Sequence, residues 1–295
     1  MEATAAACEV AGKIIAHVNP NMPRTHGDSF INLKDIDHAF MDDTPLIFHE
    51  PREISATERR IGENIASLID DGDCLQMGIG AIPDAALACL EERRDLGVHT
   101  EMFSDGVLKL IDCGAINNSR KKIGRGKVVT GFTMGSQKLY DFVNDNPEVV
   151  FLDIEFVNNP VVIAKNRQVT SINSAIQIDL SGQVCADSMG AKIYSGVGGQ
   201  VDFVLGATFS EGGKSIIALP STARNGSLSR LVPTLERGAG VVTTRAHVDY
   251  VVTEFGIAEL RGRSIAERVR DLIAIAHPNF QESMAREARD LLGVR

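Results

Sequence analysis

One stretch of this chain, from Asp73 to Gly106, constrains its fold more than any other. Cys74 to Met77 is an apolar run of strand length, and a glycine turn breaks it. The turn consists of Gly78, Ile79 and Gly80. Pro83 stands where a helix would begin, because its ring presets φ and its missing N–H is not needed there. The stretch therefore predicts a strand, a glycine turn and a helix that starts near Pro83.

The same stretch continues into a second strand that carries a carboxylate. Small residues extend the predicted helix until Gly97 ends it, and Val98 to Phe103 then resumes an extended pattern that contains Glu101. A strand–helix–strand unit places its glycine turn and the end of its second strand at one edge of a parallel sheet, where α/β folds bind ligands. We therefore expect backbone N–H groups and the Glu101 carboxylate to face one crevice.

Strands alternate with helices along the rest of the chain, and glycine turns follow several of the strands. This pattern predicts an α/β fold with a mostly parallel, open sheet and helices on both faces. Ser55 and Glu58 have capping-box spacing at the start of one helix. We place a domain boundary near it, so that residues 1–52 are the tail of a first domain and residues 53–295 form a second domain.

The N-terminal segment has an unusual order. A short helix is predicted first, and Ile14 to Val18 follows as a buried strand. A crossover helix with no strand before it is half of a βαβ unit, so we expect the chain to be a fragment or to start late. The loop 19–30 contains His26, which is either a site residue or a solvated surface histidine.

Farther along, the stretches 169–172 and 176–180 are predicted to be two strands that pair with each other.

The composition limits the class of protein. The chain has 295 residues, 44% of them hydrophobic, and a formal net charge of −9. That charge argues against nucleic-acid binding and against an anionic membrane surface. No apolar run approaches the length of a bilayer span, and the N-terminus lacks the basic start and apolar core of a signal peptide. Four of the five cysteines lie beside apolar residues and are predicted to be core thiols, which favours a reducing, cytoplasmic location.

Two glycine-rich turns are candidates for backbone N–H donors. The first, at Gly78 and Gly80, is a weak signal, since it is neither a complete GxGxxG nor a P-loop. The second has three glycines in four residues, at Gly196, Gly198 and Gly199. A loop of this kind lets a ligand approach the backbone closely, unless its glycines only permit a turn with positive φ. Two such loops suggest donors that point at a developing oxyanion.

Glu101 is the candidate nucleophile. A glutamate in a strand is more often an exposed polar residue, but this one lies near the end of a predicted buried strand, and carboxylates can attack acyl groups to form a mixed anhydride. The chain has no Gly-x-Ser-x-Gly elbow, and its seven histidines show no HxxxH or HxH spacing, so neither a serine hydrolase nor a metal site is expected. Gln177 alternates with Ile176 and Ile178, which predicts the polar face of a strand and no catalytic role.

Seven motifs resemble those of class I CoA-transferases of the acetyl-CoA hydrolase/transferase family, within it most closely the 4-hydroxybutyrate and butyrate:acetate CoA-transferases. They are MGIGAIPDAAL (77–87), HTEMFSDG (99–106), VNNP (157–160), SINSAIQIDLSGQVCADS (171–188), SGVGGQVDF (195–203), ALPSTA (218–223) and VDYVVTEFG (248–256). They occur in the family's order and cover nearly the whole chain.

The resemblance implies a role for each motif that could carry chemistry. Glu101 would be the nucleophile, and the two glycine loops would frame the oxyanion site and the CoA thioester, with N–H groups near Ile79 and Gly198 on the oxyanion. Asn158 or Asn159 would lie along the CoA groove.

The resemblance also implies the reaction and the assembly. CoA would move from a short acyl-CoA to a carboxylate such as acetate, butyrate or 4-hydroxybutyrate through a glutamyl-CoA thioester, with CoA as a substrate and no permanently bound cofactor. The partners would be acyl-CoA, short carboxylic acids and a second copy of the chain in a dimer. Members of the family carry a further N-terminal stretch, so this chain would be truncated in its first domain.

Two other functions remain open from the sequence. The same residues would serve a thioester hydrolase, such as an acetyl-CoA hydrolase, in which water replaces the acceptor acid. A non-catalytic α/β binding or regulatory module is the second alternative. The retention of Glu101 with both glycine loops argues against that module.

Overall fold

The computed structural model describes residues 2–49, 52–78 and 80–293. Helices and strands alternate along these residues. The helices are Thr4–Val10 (α1), Ala56–Ala66 (α2), Ala81–Leu87 (α3), Gly106–Asp112 (α4), Gln137–Val143 (α5), Ile154–Val157 (α6), Pro160–Ile163 (α7), Gln200–Phe209 (α8), Ile265–Ala274 (α9) and Pro278–Leu292 (α10), with a 3-10 turn at Leu33–Asp35. The strands are Ile15–Val18 (β1), His26–Gly27 (β2), His38–Met41 (β3), Cys74–Met77 (β4), Gly97–Phe103 (β5), Val128–Thr133 (β6), Val149–Phe151 (β7), Val169–Ser174 (β8), Gln177–Asp179 (β9), Val184–Cys185 (β10), Ser188–Met189 (β11), Lys192–Ile193 (β12), Lys214–Ala218 (β13), Thr222–Ala223 (β14), Leu228–Ser229 (β15), Leu231–Val232 (β16), Tyr250–Thr253 (β17) and Gly256–Glu259 (β18).

Nine of these strands form one sheet, in the order β18-β17-β13-β8-β4-β5-β6-β7-β2. Neighbours in it are parallel, except that β17 and β18 form an antiparallel pair. The chain runs from β4 to β7 toward one edge and then returns to β8, from which it continues toward the other edge. The direction therefore reverses between β4 and β8, and their carboxyl ends form the switch point at which α/β sheets bind ligands.

Helices cover both faces of this sheet, as the α/β pattern predicts. Along β4 the side chains alternate, so that Leu75 packs on one face and Cys74 on the other. The first face is covered by α2, α3, α4 and α5. The second face is covered by α6, α7 and α8, through residues such as Ile163 and Phe203. The predicted fold class is confirmed, and the crevice at the switch point lies between two layers of helices.

The capping box at the start of α2 is confirmed. Ser55 Oγ accepts the Glu58 N–H, and the Glu58 carboxylate accepts the Ser55 N–H at 2.9 Å. Ile61 and Ile65 then lie on the buried face of the helix, against the sheet. A cap of this kind stabilises the helix by about 1 kcal/mol.

Several local predictions differ from the structure. The helix after the first glycine turn starts at Ala81, not at Pro83, and ends at Leu87, so Gly97 is the first residue of β5 and does not end a helix. The strand predicted at Ile14 to Val18 exists, but it is exposed, because within the described part of the chain β1 pairs with β3 alone, in a separate two-stranded sheet.

Two further predictions were wrong. The stretches 169–172 and 176–180 do not pair with each other, since β8 lies between β4 and β13 whereas β9 pairs with β10 and β16. All five cysteines are free thiols, but only Cys74 and Cys185 are buried. Flanking apolar residues therefore predicted strand and helix positions better than they predicted burial of the thiols.

Candidate active site

A crevice opens where β4 and β5 diverge. The two strands pair only through Cys74 with Gly97 and Leu75 with Val98. Beyond that point the Met77 N–H donates to the Thr100 hydroxyl at 3.3 Å, in place of a backbone partner on β5. The carboxyl ends of the two strands are thereby held apart, and β5 presents Glu101 at the opening.

Glu101 is held by an asparagine from the opposite layer. The Asn158 amide, between α6 and α7, donates to Glu101 Oε2 at 2.7 Å. Within the described residues, Oε1 of the same carboxylate has no hydrogen bond. The amide oxygen of Asn158 is buried and has no partner among those residues either. Among the described residues, the site therefore has one hydrogen-bonded carboxylate oxygen, one carboxylate oxygen without a hydrogen bond and one buried acceptor without a partner.

Gly199 provides the space that the carboxylate occupies. A Cβ built on Gly199 would overlap Glu101 Oε2 and would lie 2.5 Å from the Asn158 amide nitrogen. Gly199 is also the N-cap of α8, and no side chain of the described residues caps that helix. The Glu101 carboxylate thus lies at the N-terminus of a helix, where free N–H groups and the partial positive charge stabilise anions.

His99 lies beside Glu101 and contacts the backbone next to Asn158. It lies two residues before Glu101 on β5, so both side chains leave the same face of the strand. His99 is buried, and its Nε2–H donates to the carbonyl of Val157 at 2.9 Å, next to Asn158. Burial, with a smaller contribution from the charge of Lys121, lowers the pKa of His99 to about 4, so the ring is neutral at physiological pH. The sequence reasoning assigned no role to His99, although the period of the strand placed it beside Glu101.

Glu101 stands between two cavities. One has a volume of about 490 Å³ and is lined by Asn158, Asn159, Gly198, Gly199 and three further carboxylates, from Glu2, Glu155 and Asp202. The other has a volume of about 230 Å³ and is lined by apolar side chains together with uncharged polar ones such as Gln76 and Asn173. Glu101 and Gly199 line both cavities. A group that reacts at Glu101 can therefore extend in two chemically different directions.

The predicted glycines and asparagines divide between these cavities. Gly198, with a φ of +62°, lines the larger one, and Gly78 lines the smaller one with Glu101, as expected for a shared crevice. Asn159 lines the larger cavity, but its side chain caps α7 by accepting the Val161 N–H at 2.9 Å. Only Asn158 of the two asparagines contacts Glu101.

Three other predicted residues lie elsewhere. Gly80, with a φ of +116°, lines a separate cavity with Asp105. Gly196 is exposed and lines neither cavity at Glu101. His26 belongs to β2 at the sheet edge, where its Nε2 is 3.1 Å from Asp145 Oδ1, and it does not line these two cavities. Ile79 lies outside the described residues.

A polar network at the ends of β4 and β8 was not predicted. Ser171 Oγ donates to Gln76 Oε1 at 2.7 Å, and the Asn173 amide donates to the same oxygen at 3.1 Å. Gln76 and Asn173 line the smaller cavity together with Glu101. The sequence does contain a signal for this network, namely a glutamine and an asparagine near the ends of two otherwise apolar strands.

The part of the chain that the structure describes contains no group of three or more His, Cys, Asp or Glu side chains placed to hold a metal ion. In the same residues, no helix has the length and apolar character needed to cross a bilayer.

The fold and the site together define an α/β protein with a carboxylate-centred cleft at the switch point of its sheet. Residues 135–288 match the acetyl-CoA hydrolase/transferase C-terminal domain, and the chain belongs to the acetyl-CoA hydrolase/transferase family.

Known members of the family are similar over nearly the whole chain. The chain is 55% identical to a 4-hydroxybutyrate coenzyme A transferase of Clostridium kluyveri over 96% of its own length and 66% of that relative. A crystal structure of a 4-hydroxybutyrate CoA-transferase from Porphyromonas gingivalis superposes with a TM-score of 0.88 at 46% identity, over 98% of this chain and 69% of that one. The crystal structure of RipA from Yersinia pestis gives a TM-score of 0.94 at 39% identity, over 99% and 66% of the two chains. The chain thus spans about two thirds of the length of these relatives.

Proposed function

We propose that this chain carries the reacting half of a CoA-transferase, in which Glu101 accepts CoA from a short acyl-CoA and passes it to a second carboxylate. The proposal rests on one arrangement, the Glu101 carboxylate bonded to Asn158 and seated against Gly199 between two cavities. The acceptor and acyl groups are of the acetate, butyrate and 4-hydroxybutyrate type. The names of two similar proteins support 4-hydroxybutyrate.

The first half of the reaction starts at the free oxygen of Glu101. Oε1 attacks the acyl-CoA carbonyl, N–H groups near Ile79, at Gly198 and at the start of α8 stabilise the oxyanion, and the CoA thiolate leaves. The product is a mixed anhydride between Glu101 and the acyl group. The thiolate then attacks the Glu101 carbonyl, which expels the first carboxylate and leaves a glutamyl-CoA thioester. A second carboxylate reverses these steps and leaves with CoA.

The charge of the larger cavity determines how CoA enters. Glu2, Glu155 and Asp202 surround it, and like charges placed together are unfavourable, so the phosphates of CoA stay outside. The neutral pantetheine arm enters instead.

Covalent trapping tests the proposal directly. The protein is incubated with acyl-CoA and then with borohydride, which reduces a glutamyl thioester, and the peptide that contains Glu101 is examined by mass spectrometry. We expect a mass change on that peptide in the parent and none in Glu101→Gln, whose acyl exchange should fall by several orders of magnitude. An unmodified Glu101 in an active preparation would show that the nucleophile has been misassigned.

The dependence of turnover on an added acceptor carboxylate distinguishes CoA transfer from thioester hydrolysis. We expect release of the first acid to continue through many turnovers only when a second carboxylate is added. Steady release of CoA into water alone would instead support the hydrolase, and a protein that binds acyl-CoA without either reaction would support the binding module.

The domain division, the assembly state and the cellular location are part of the same proposal. Residues 1–52 would belong to a first domain and 53–295 to a second, and two chains would form a dimer. The five unpaired cysteines support a reducing, cytoplasmic location. Sedimentation and limited proteolysis would measure the assembly state and the domain boundary.

A further inference from the structure

Phe132 lines two neighbouring cavities. It lies near the end of β6, in register with Met102 of β5. On one side is the cavity of about 230 Å³ that contains Glu101. On the other is a cavity of about 580 Å³ between β6, α5 and the N-terminal segment, with apolar walls that include Met22 and Leu46.

On the basis of the proposed function, we infer that the smaller cavity holds the acyl chain of the substrate and that Phe132 sets the longest chain it accepts. An acyl carbonyl at Glu101 can direct its tail into either of two cavities. The larger one is lined with three carboxylates besides Glu101, whereas the smaller one has Glu101 as its one carboxylate among the described residues. The smaller cavity offers apolar contacts from Met77, Ile82 and Ile172, beside uncharged polar side chains such as Gln76 and Asn173. Burial of an alkyl tail is favourable only against apolar walls. The tail therefore points toward Phe132.

The size of the smaller cavity agrees with a short acyl group. Its volume of about 230 Å³ is below the range of roughly 300 to 1,000 Å³ that is usual for sites of drug-sized ligands. Phe132 forms part of its wall, so the space open to the acyl tail depends on the size of this side chain. Beyond the ring, the apolar cavity of about 580 Å³ offers the space that a longer chain would need.

The inference predicts a change in chain-length preference. Phe132→Ala joins the two cavities, so the ratio of kcat/KM for octanoyl-CoA to that for butyryl-CoA should rise by at least about tenfold, since even one methylene in an apolar pocket changes specificity by this amount. Phe132→Trp should lower the ratio. Phe209→Ala is the matched control, because it removes the same atoms from an exposed position away from both cavities and should leave the ratio unchanged.

A second substitution tests the route of the chain. Leu46 lines the cavity beyond Phe132 but does not line the smaller one. Leu46→Trp in the Phe132→Ala background should refill that space and reverse most of the gain for octanoyl-CoA. A double variant that keeps the full gain would show that long chains do not enter this cavity.

Binding measurements separate this inference from the proposed function. The dissociation constants of octanoyl-CoA and butyryl-CoA are measured by calorimetry in a Glu101→Gln background, where no turnover is needed. Phe132→Ala should shift their ratio toward octanoyl-CoA; an unchanged ratio in a folded protein would overturn the role of Phe132, whatever Glu101 does. Turnover that survives Glu101→Gln would overturn the proposed nucleophile alone. Should Phe132→Ala fail to fold, Phe132→Leu should give a smaller shift in the same direction.

Discussion

The Asn158 amide donates a hydrogen bond of 2.7 Å to Oε2 of Glu101, across 57 positions of the chain. The contact forms because the corner between α6 and α7 meets the end of β5 at the carboxyl edge of the sheet. It fixes the plane of the carboxylate and leaves Oε1 without a hydrogen bond from the described residues. Asn158 therefore acts as a positioning residue for the proposed nucleophile.

We expect Asn158→Ala to lower kcat/KM by about 10- to 100-fold, because a hydrogen bond to a charged group contributes about 1.5–3 kcal/mol. Stability should change little, since its amide oxygen has no partner among the described residues. Asn159→Ala is the matched control. It removes the cap of α7 and should lower the free energy of unfolding by about 1 kcal/mol. A parental kcat/KM in Asn158→Ala would contradict the positioning role.

Gly199→Ala should remove activity without unfolding the protein. Gly199 has a φ of −83°, which alanine adopts without strain, but its Cβ would occupy the position of Glu101 Oε2. The carboxylate must move, and a displacement of about 1 Å can cost about 100-fold in rate. Acyl exchange and thermal unfolding, measured on the same preparation, test this. Normal exchange in a folded Gly199→Ala protein would mean that the carboxylate position is not critical.

Gly198→Ala should behave differently. Gly198 has a φ of +62°, and its Cβ would meet nothing within 4 Å. Alanine in that conformation costs about 1–2 kcal/mol, so some loss of stability is expected even without substrate. A further loss of acyl transfer, of about 3 kcal/mol at the transition state, would follow if its N–H is an oxyanion donor. Steady-state kinetics with chemical denaturation separate the two effects; a loss of stability alone would assign Gly198 a turn-forming role only.

Gln177→Ala should leave acyl transfer within a few-fold of the parent. Gln177 is buried in β9, where its amide nitrogen lies 3.4 Å from Glu236 Oε1, and it lines neither cavity at Glu101. The same assay used for Glu101→Gln measures it. A loss as large as that of Glu101→Gln would place the reaction in another part of the chain.

The sequence predicts the local frame of the site well. Apolar runs bounded by glycine predicted β4 and β5, and the βαβ rule placed Gly78 and Glu101 beside one cavity, although Gly80 of the same turn lines another. These features depend on residues close together in the chain. The Asn158–Glu101 contact depends instead on how α6 and α7 pack, which no local pattern encodes.

The prediction that 169–172 and 176–180 pair failed for a related reason. Two short apolar runs that follow each other suggest a hairpin, but β8 is buried on both faces and takes β4 and β13 as partners. Similarly, the pattern of β1 gave a strand, whereas its exposure depends on which elements cover it. Partner choice and burial are tertiary properties, so a single sequence determines them least.

His99 should make the stability of the fold depend on pH. Its pKa is lowered to about 4 by burial and by the charge of Lys121, whereas histidine in an unfolded chain titrates near about 6.5. Between these values the unfolded state binds a proton that the folded state does not bind. The contribution to stability is therefore fully present above about pH 6.5 and is lost as the pH falls toward about 4.

The expected loss is about 2 kcal/mol of unfolding free energy between about pH 7.5 and about pH 5. Denaturant unfolding at a series of pH values measures it. His99→Gln should reduce this slope, because its amide can still donate to the carbonyl of Val157 but does not titrate. His38→Gln, at an exposed position on β3, should keep the parental slope. Identical pH dependence in the parent and in His99→Gln would show that protonation of the buried ring does not limit stability.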